Sequence, residues 1–268
     1  MTSNMFTYIC EPFVCSPVSS EIIATLANLS FKSGSFPSCF KIAQVTPLLK
    51  KPGSDKTDPS NYRPISNLTN ISKILEKLFL SRIQNHLLSC PNFNQYQSAY
   101  RRNHSTETRL LSIVDNICHS ADTGHSTLLV SLDLSAAFDT IDHTILLHRL
   151  SSTFGVNGHA LAWIKSYLSE RYQFVRCGET TSSNRSCVSG VPQGSVLGPF
   201  LFTIYVSPIA HIADSFGISQ RQYADDMQFF IEVSVKTIAT AVIEALFRGL
   251  SVCTSCMVLS QCSCFKPR

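Results

Sequence analysis

The sequence predicts an α/β fold, because segments with strand patterns alternate with segments of helical periodicity. The chain has 268 residues, 44% of them hydrophobic, which is enough to bury a sizeable core in one or two domains. Residues 127–134 have the composition of a buried strand. Further upstream, a set of apolar residues recurs at helical spacing: Ile71, Ile74, Leu75, Leu78, Phe79, Ile83 and Leu87.

The first half of the chain predicts a helix, a strand, a loop and a second helix. Residues 21–29 favour a helix, and residues 43–49 favour a strand. The polar, turn-rich run 50–61 indicates an exposed loop or the tip of a hairpin. The helix of residues 71–87 follows, with basic side chains on its other faces.

The second half continues the alternation after the strand at 127–134. Phe138, Ile141, Ile145 and Leu146 begin a predicted amphipathic helix that ends at Gly155. The remaining predicted elements are a helix at 160–172, a strand at 173–177, a polar turn at 180–186, a loop at 190–194, a helix at 195–206 and two strands within 222–233.

Charge is distributed unevenly along the chain. Residues 32–109 hold twelve Lys and Arg but four acids, a net +8, whereas the remainder carries −4. This polarity is expected of a protein in which a basic segment binds phosphates while carboxylates elsewhere bind metal ions. Charge alone also fits an alternative in which these are unevenly charged solvated faces. Neither a Walker A motif nor a GxSxG elbow occurs, so the sequence offers no sign of a P-loop nucleotidase or of an α/β hydrolase.

The apolar runs and the cysteines of the sequence indicate in which cellular compartment the protein is expected. We expect no transmembrane span and no signal peptide, since the long uncharged runs are broken by Pro, Gly and polar residues and the first basic residue is Lys32. The eleven cysteines are scattered, which predicts mostly reduced thiols in an intracellular protein of the cytoplasm or nucleus. One cluster has a spacing that fits zinc poorly: Cys253, Cys256, Cys262 and Cys264.

Two adjacent acids, Asp225 and Asp226, lie within an apolar segment. Neighbouring carboxylates repel, and a cation or hydrogen bonds must compensate for their burial. Asp133, near the end of another predicted strand, supplies a third carboxylate, so the three could bind a pair of Mg²⁺ ions. Taken alone, an Asp-Asp pair in a hairpin is more often ordinary turn chemistry.

Five motifs occur in order along the chain. They are Asn61-Tyr62-Arg63-Pro64-Ile65-Ser66, residues 97–106, residues 131–143 (Ser-Leu-Asp-Leu-Ser-Ala-Ala-Phe-Asp-Thr-Ile-Asp-His), residues 190–199 (Gly-Val-Pro-Gln-Gly-Ser-Val-Leu-Gly-Pro) and Tyr223-Ala224-Asp225-Asp226. In this order they resemble the reverse transcriptases of LINE-type (non-LTR), jockey-like retrotransposons. The resemblance runs from Phe31 to roughly Ile231, about 75% of the chain.

The resemblance implies a right-hand polymerase fold, with an antiparallel palm sheet, packed helices and fingers. It places an N-terminal extension at 1–30, fingers at 31–126, the palm at 127–233 and a divergent Cys- and Ser-rich tail at 234–268. The thumb that the family has after the palm is not recognisable in this tail. An upstream endonuclease domain, usual in full-length elements, is also not recognisable.

The resemblance also assigns roles to individual residues. Asp133, Asp225 and Asp226 would be the catalytic, metal-binding carboxylates. Nucleotide-binding residues would be Arg63, Lys73, Phe138, Gln193 and Gly194. Arg101 and Arg102 would contact template or primer. Other interpretations remain open: Phe138 as a core aromatic residue, and Lys73 as part of a solvated helix face.

The implied activity is RNA-directed DNA synthesis: transfer of deoxynucleotides from dNTPs to a primer 3′-hydroxyl on an RNA template. The implied cofactor is two Mg²⁺ ions, with Mn²⁺ as a substitute, and the implied partners are the RNA template and the DNA primer, without a membrane. The alternative function is a catalytically inactive nucleic-acid-binding remnant of a retroelement. An interaction protein that uses only the apolar palm surface would leave the three aspartates unexplained.

Overall fold

The computed structural model describes residues 17–101, 103–134, 136–234 and 265–267. Its α-helices are α1 (Pro17–Ser33), α2 (Asn70–Ser89), α3 (Thr106–Asp122), α4 (His143–His148), α5 (Gly158–Leu168), α6 (Gly198–Val206) and α7 (Pro208–Ser215). Its strands are β1 (Ile42–Leu49), β2 (Tyr62–Asn67), β3 (His125–Leu134), β4 (Arg171–Cys177), β5 (Thr180–Thr181), β6 (Arg185–Cys187), β7 (Ser219–Tyr223), β8 (Asp226–Ser234) and β9 (Phe265–Pro267).

The chain forms two compact units that alternate along the sequence. The first unit combines Met1–Ser89 with Ile141–Gly198, and the second combines Cys90–Thr140 with Pro199–Arg268. Each unit is therefore built from two separate stretches of chain. The fingers and palm ranges inferred from the sequence are functional divisions that these units do not test, and they stay predictions.

The first unit contains a mixed sheet and an aromatic core. β1 pairs antiparallel with β2 and parallel with β4, which also pairs with β5 and β6. The fully buried Trp163 of α5 stacks on Phe79 of α2, with 4.0 Å between ring centroids, and its indole N–H donates to the Ser30 hydroxyl at 2.8 Å. This contact joins three helices, α1, α2 and α5, around one large side chain.

The second unit contains an antiparallel sheet in the order β7-β8-β3-β9. β8 pairs with β7 on one side and with β3 on the other, and its Met227 and Phe229 are fully buried. Helix α3 is tied to this sheet by side chains, since Arg221 donates to the Ser112 hydroxyl and Ser120 donates to Glu232. The antiparallel sheet with packed helices confirms the predicted fold class.

Most predicted elements are present, but some boundaries and burial predictions were wrong. The strand at 127–134 exists, yet Leu129 is 42% exposed while Leu132 is buried. The helix expected to begin at Phe138 starts at His143, because Ala136 has a positive φ and accepts a hydrogen bond from Asp139 N–H, closing a turn instead.

Two other helices are shorter than predicted. The helix expected at 195–206 begins at Gly198, whose N–H donates to the Ser195 hydroxyl. The helix expected at 160–172 ends at Leu168, and Tyr172 lies in β4. Helices α3 and α7 were not predicted. In α3 the apolar residues are not confined to one buried face, since Leu110 and Leu111 are each 61% exposed.

Two chemical expectations concern cysteines and membranes. Every cysteine within the described ranges is a thiol without a disulfide, in agreement with the prediction: Cys39, Cys90, Cys118, Cys177 and Cys187. The cysteine cluster at 253–264 lies outside the described residues. Across the part of the chain that the structure describes, no helix has both the length and the apolar character of a membrane span.

Candidate active site

A tight hairpin carries the two adjacent aspartates. The pairing of β7 with β8 ends at Tyr223 opposite Asp226, which leaves Ala224 and Asp225 as a two-residue loop. Such loops require positive φ angles, and Ala224 has φ +55°, a conformation that costs a residue with a side chain about 1–2 kcal/mol. Asp225 is half-buried and Asp226 is exposed. Both aspartates therefore lie at the tip of the hairpin, as the sequence predicts.

The third aspartate reaches the same end of the sheet through β3. Leu132 pairs with Met227, so the next pair in this register would join Asp133 to Asp226. The pairing of β3 with β8 thus places the backbone of Asp133 at the same end of the sheet as the hairpin of Asp225 and Asp226, which lies more than ninety positions further along the chain.

Two neighbours define the electrostatics of the hairpin tip. The Arg109 guanidinium donates to the Asp226 carbonyl at 3.2 Å and to the Gln228 side-chain oxygen at 2.8 Å. Burial lowers the pKa of Arg109, and the Asp226 carboxylate opposes that shift. Burial also raises the pKa of the Tyr100 hydroxyl, and the negative charge of Asp225 raises it further. A cationic and a phenolic side chain therefore adjoin the acidic tip.

Four predicted nucleotide-binding residues lie on adjoining segments of the first unit. Arg63 is exposed on β2, three residues before Ser66, whose N–H donates to the Gln193 carbonyl at 2.8 Å. Gly194 has φ +109°, and a Cβ there would lie 3.0 Å from the Ser66 carbonyl oxygen. Only glycine fits this close approach between loop and strand. Lys73 is half-buried in the first turn of α2, the helix that follows β2.

The loop that contains Gln193 is also held by Glu76, which the sequence analysis did not assign a role. The Glu76 carboxylate is fully buried and accepts the N–H groups of Val196 at 2.8 Å and Leu197 at 3.1 Å, with the Ser72 hydroxyl at 3.0 Å. Burial raises the pKa of Glu76 despite these hydrogen bonds. The sequence could have revealed this role, because Glu76 is an acid between Leu75 and Phe79, within the apolar face of α2.

Comparison with known proteins identifies the family. The family model described as reverse transcriptase (RNA-dependent DNA polymerase) matches residues 49–259. The chain belongs to the reverse transcriptase family. It is 31% identical over 216 residues to the RNA-directed DNA polymerase from mobile element jockey of Drosophila melanogaster, and 30% identical over 210 residues to the probable RNA-directed DNA polymerase from transposon BS of the same fly. The resemblance to jockey-like reverse transcriptases is thereby confirmed.

The reverse transcriptase domain matches only part of these relatives. The two matches cover 77% and 76% of this chain but 23% of each relative. Among solved structures, an apo telomerase from Candida tropicalis, truncated from its C-terminal domain, aligns with a TM-score of 0.56 at 13% identity, covering 87% of this chain and 52% of that chain. At this identity the likeness shows the shared fold.

The other predicted site residues of the reverse transcriptase domain have mixed surroundings. Phe138 is half-buried and packs against Phe202, with 5.4 Å between ring centroids. Arg101 donates to the carbonyls of Gln95 and Gln97, so part of its guanidinium stabilises its own segment. Arg102 lies outside the described residues. The nucleotide-binding and template-binding roles of these residues stay predictions.

Reverse transcriptases generally use divalent metal ions, and the chemistry of the hairpin tip suits such an ion. Carboxylate oxygens are the ligands that Mg²⁺ prefers, and Asp225 and Asp226 supply two of them on consecutive residues. The side chain of Asp133 is not among those that the structure describes. Among the described side chains, no group of three or more histidines, cysteines or acids is arranged to hold a metal ion. A complete site at the tip would need the third carboxylate.

Proposed function

We propose that this domain is an RNA-directed DNA polymerase that adds deoxynucleotides to a primer 3′-hydroxyl on an RNA template. In this reaction the 3′-oxygen forms a bond to the α-phosphorus of the dNTP, and the bond from that phosphorus to pyrophosphate breaks. The observation that carries the proposal is the register of β3, β7 and β8, which brings Asp133, Asp225 and Asp226 to one end of one sheet.

The three aspartates would hold two Mg²⁺ ions, for which Mn²⁺ is a substitute. Bound there, the ions would activate the attacking 3′-hydroxyl and stabilise the pyrophosphate that leaves. The contribution of the chain is to fix the carboxylates on a short hairpin and on the adjoining strand. Rigid strand ends favour catalysis because they keep the carboxylates in position, and a displacement of about 1 Å at a metal site lowers the reaction rate substantially.

The substrate would be held by residues outside the hairpin. Arg63 and Lys73 would bind the triphosphate, since a guanidinium and an ammonium both suit phosphate oxygens. Gln193 and Gly194 would contact the incoming nucleotide through the loop that follows Gly190. Phe138 would lie under the sugar, where an aromatic edge excludes a 2′-hydroxyl. Arg101 and Arg102 would contact the template or the primer backbone.

The test is extension of a DNA primer on an RNA template with dNTPs and Mg²⁺. Asp225→Asn should abolish nucleotide addition while the Kd for primed template stays within about twofold, because phosphate binding by basic side chains does not need this carboxylate. Asp133→Asn should behave in the same way. Asp214→Asn is the matched control, since Asp214 is exposed on α7 in the same unit and the substitution is identical.

The outcomes separate the proposal from its alternative. Extension by Asp225→Asn at the rate of the unmodified chain would contradict the two-metal assignment. Tight binding of primed RNA by the unmodified chain, without any nucleotide addition, would instead identify an inactive nucleic-acid-binding remnant.

A further inference from the structure

Two side-chain amides hold the turn that precedes Asp225, and one of them, that of Gln97, binds both backbone polar groups of Ala224. The Gln97 side-chain oxygen accepts the Ala224 N–H at 3.0 Å, and its NH₂ group donates to the Ala224 carbonyl at 3.2 Å. Gln222 donates to the same carbonyl at 2.9 Å. Both backbone polar groups of Ala224, the residue with the positive φ, are therefore bound from the side by Gln97.

Gln97 is itself fixed in place. Its side-chain oxygen also accepts the Ala99 N–H at 2.9 Å. The backbones around Gln97 and Gln222 form a parallel bridge, in which Ser98 N–H donates to the Gln222 carbonyl at 2.9 Å. Asn94 donates its amide to the Gln222 side-chain oxygen at 2.9 Å. All three amides are at most 2% exposed, so water cannot replace their partners.

We propose that Gln97 is a positioning residue for the proposed polymerase: it locks Ala224 in the left-handed conformation and so sets the direction in which Asp225 and Asp226 leave the hairpin. A residue with a side chain keeps this conformation only where its surroundings enforce it. An amide suits the position because it offers one acceptor and one donor, as the two backbone groups require. The effect on catalysis rests on the proposed function, whereas the contact with Ala224 does not.

Two substitutions and one control test this role. Gln97→Leu has a similar size but neither donor nor acceptor. Gln97→Glu keeps the acceptor but donates to the Ala224 carbonyl only when its carboxyl is protonated. Gln95→Leu is the control, because Gln95 is an exposed glutamine two residues away.

Hydrogen exchange measured by mass spectrometry tests the contact without reference to activity. In Gln97→Leu, the Ala224 N–H should exchange about tenfold faster, as expected for the loss of one buried hydrogen bond, in a peptide that covers residues 222–228. The same peptide should be unchanged in Gln95→Leu. Unchanged exchange in Gln97→Leu would overturn the proposal whatever the activity.

Single-nucleotide addition on primed RNA tests the catalytic consequence. We expect the maximal rate of Gln97→Leu to fall about 10- to 100-fold, with the KM for dNTP and the Kd for primed RNA within about twofold, because the carboxylates move while the substrate contacts remain. For Gln97→Glu, the addition rate is divided by that of the unmodified chain at the same pH. This ratio should rise as the pH falls, because the protonated carboxyl of this variant can again donate a hydrogen bond to the Ala224 carbonyl.

Each remaining outcome decides between the hypotheses. Faster exchange with an unchanged addition rate would overturn the positioning role and leave the polymerase assignment intact. If the unmodified chain adds no nucleotide, the proposed function fails, and the exchange result alone decides whether Gln97 holds the turn. If Gln97→Leu does not fold, Gln97→Glu carries the test, and a rate ratio independent of pH would overturn the proposal.

Discussion

The Glu76 carboxylate accepts the backbone N–H of Val196 at 2.8 Å across 120 positions of sequence. It also accepts the N–H of Leu197, and these groups directly precede α6, which begins at Gly198. N–H groups just before and at the start of a helix lack partners within the helix, and an acid satisfies both them and the positive end of the helix dipole. Glu76 therefore fixes the far end of the loop that carries Gln193 and Gly194.

Removing this acceptor should destabilise the fold, whereas replacing it with an amide should not. Glu76→Leu leaves the buried N–H of Leu197 and the half-buried N–H of Val196 without this partner and should lower the free energy of unfolding by about 3 kcal/mol. Glu76→Gln should stay within about 1 kcal/mol, because its oxygen accepts both N–H groups and its NH₂ donates to the Ser72 hydroxyl. Urea denaturation measures both values. Equal losses in the two variants would show that charge, not hydrogen bonding, matters at this position.

The same residue should make stability depend on pH. The folded-state pKa of Glu76 lies above its ordinary value of 4.5, so the folded chain binds this proton more tightly than the unfolded chain does. The resulting stabilisation is complete below pH 4.5 and is lost as the pH rises through the folded-state pKa. Relative to Glu76→Gln, the unmodified chain should therefore lose stability over that window, as measured by urea denaturation at successive pH values. Parallel curves for the two proteins would contradict this.

Gly194 should not tolerate a methyl group. In Gly194→Ala the new Cβ would meet the Ser66 carbonyl at 3.0 Å in a backbone conformation that disfavours side chains. The loop must then shift, at a cost of about 1–3 kcal/mol, and the KM for dNTP should rise. Thermal denaturation and nucleotide titrations measure the two effects. Gly178→Ala is the control, because Gly178 also has a positive φ but has open space around it, and equal effects in both variants would count against a steric cause.

Phe138 should control the choice of sugar. Phe138→Val removes the aromatic edge expected under the incoming nucleotide, so the ratio of ribonucleotide to deoxynucleotide addition should rise, by about tenfold or more for a relieved steric clash. Single-addition assays with rATP and dATP measure this ratio. If it does not change, Phe138 acts as a core residue that packs on Phe202, the contact present in the structure.

Binding of primed RNA should depend strongly on salt. Lys51 and Lys56 are exposed on the loop between β1 and β2, within the segment that carries net +8. Affinity should fall steeply between about 50 and 200 mM salt, and Lys51→Gln/Lys56→Gln should reduce the slope of log K against log salt by about 1–2. Fluorescence anisotropy measures the slope. Lys165→Gln, an exposed lysine outside this segment, should leave it nearly unchanged, and an equal change there would refute a specific role for the loop.

Local patterns in the sequence were sufficient for much of the fold. Periodicity predicted α2, two strands were predicted within 222–233 around Asp225 and Asp226, where the β7–β8 hairpin lies, and ordered motifs predicted the family. These signals involve neighbours in the chain, where the residue pattern itself reports the backbone geometry. The identity of the three aspartates followed from the same local motifs.

Only the tertiary structure revealed what holds these local pieces in place. Glu76 meets Val196 and Gln97 meets Ala224 across more than a hundred positions, and nothing in either local sequence indicates the partner. The turn at Ala136, which delays the helix to His143, also departs from its local helical pattern. A buried polar side chain is explained by the backbone groups that it satisfies, and long-range folding alone brings those groups to it.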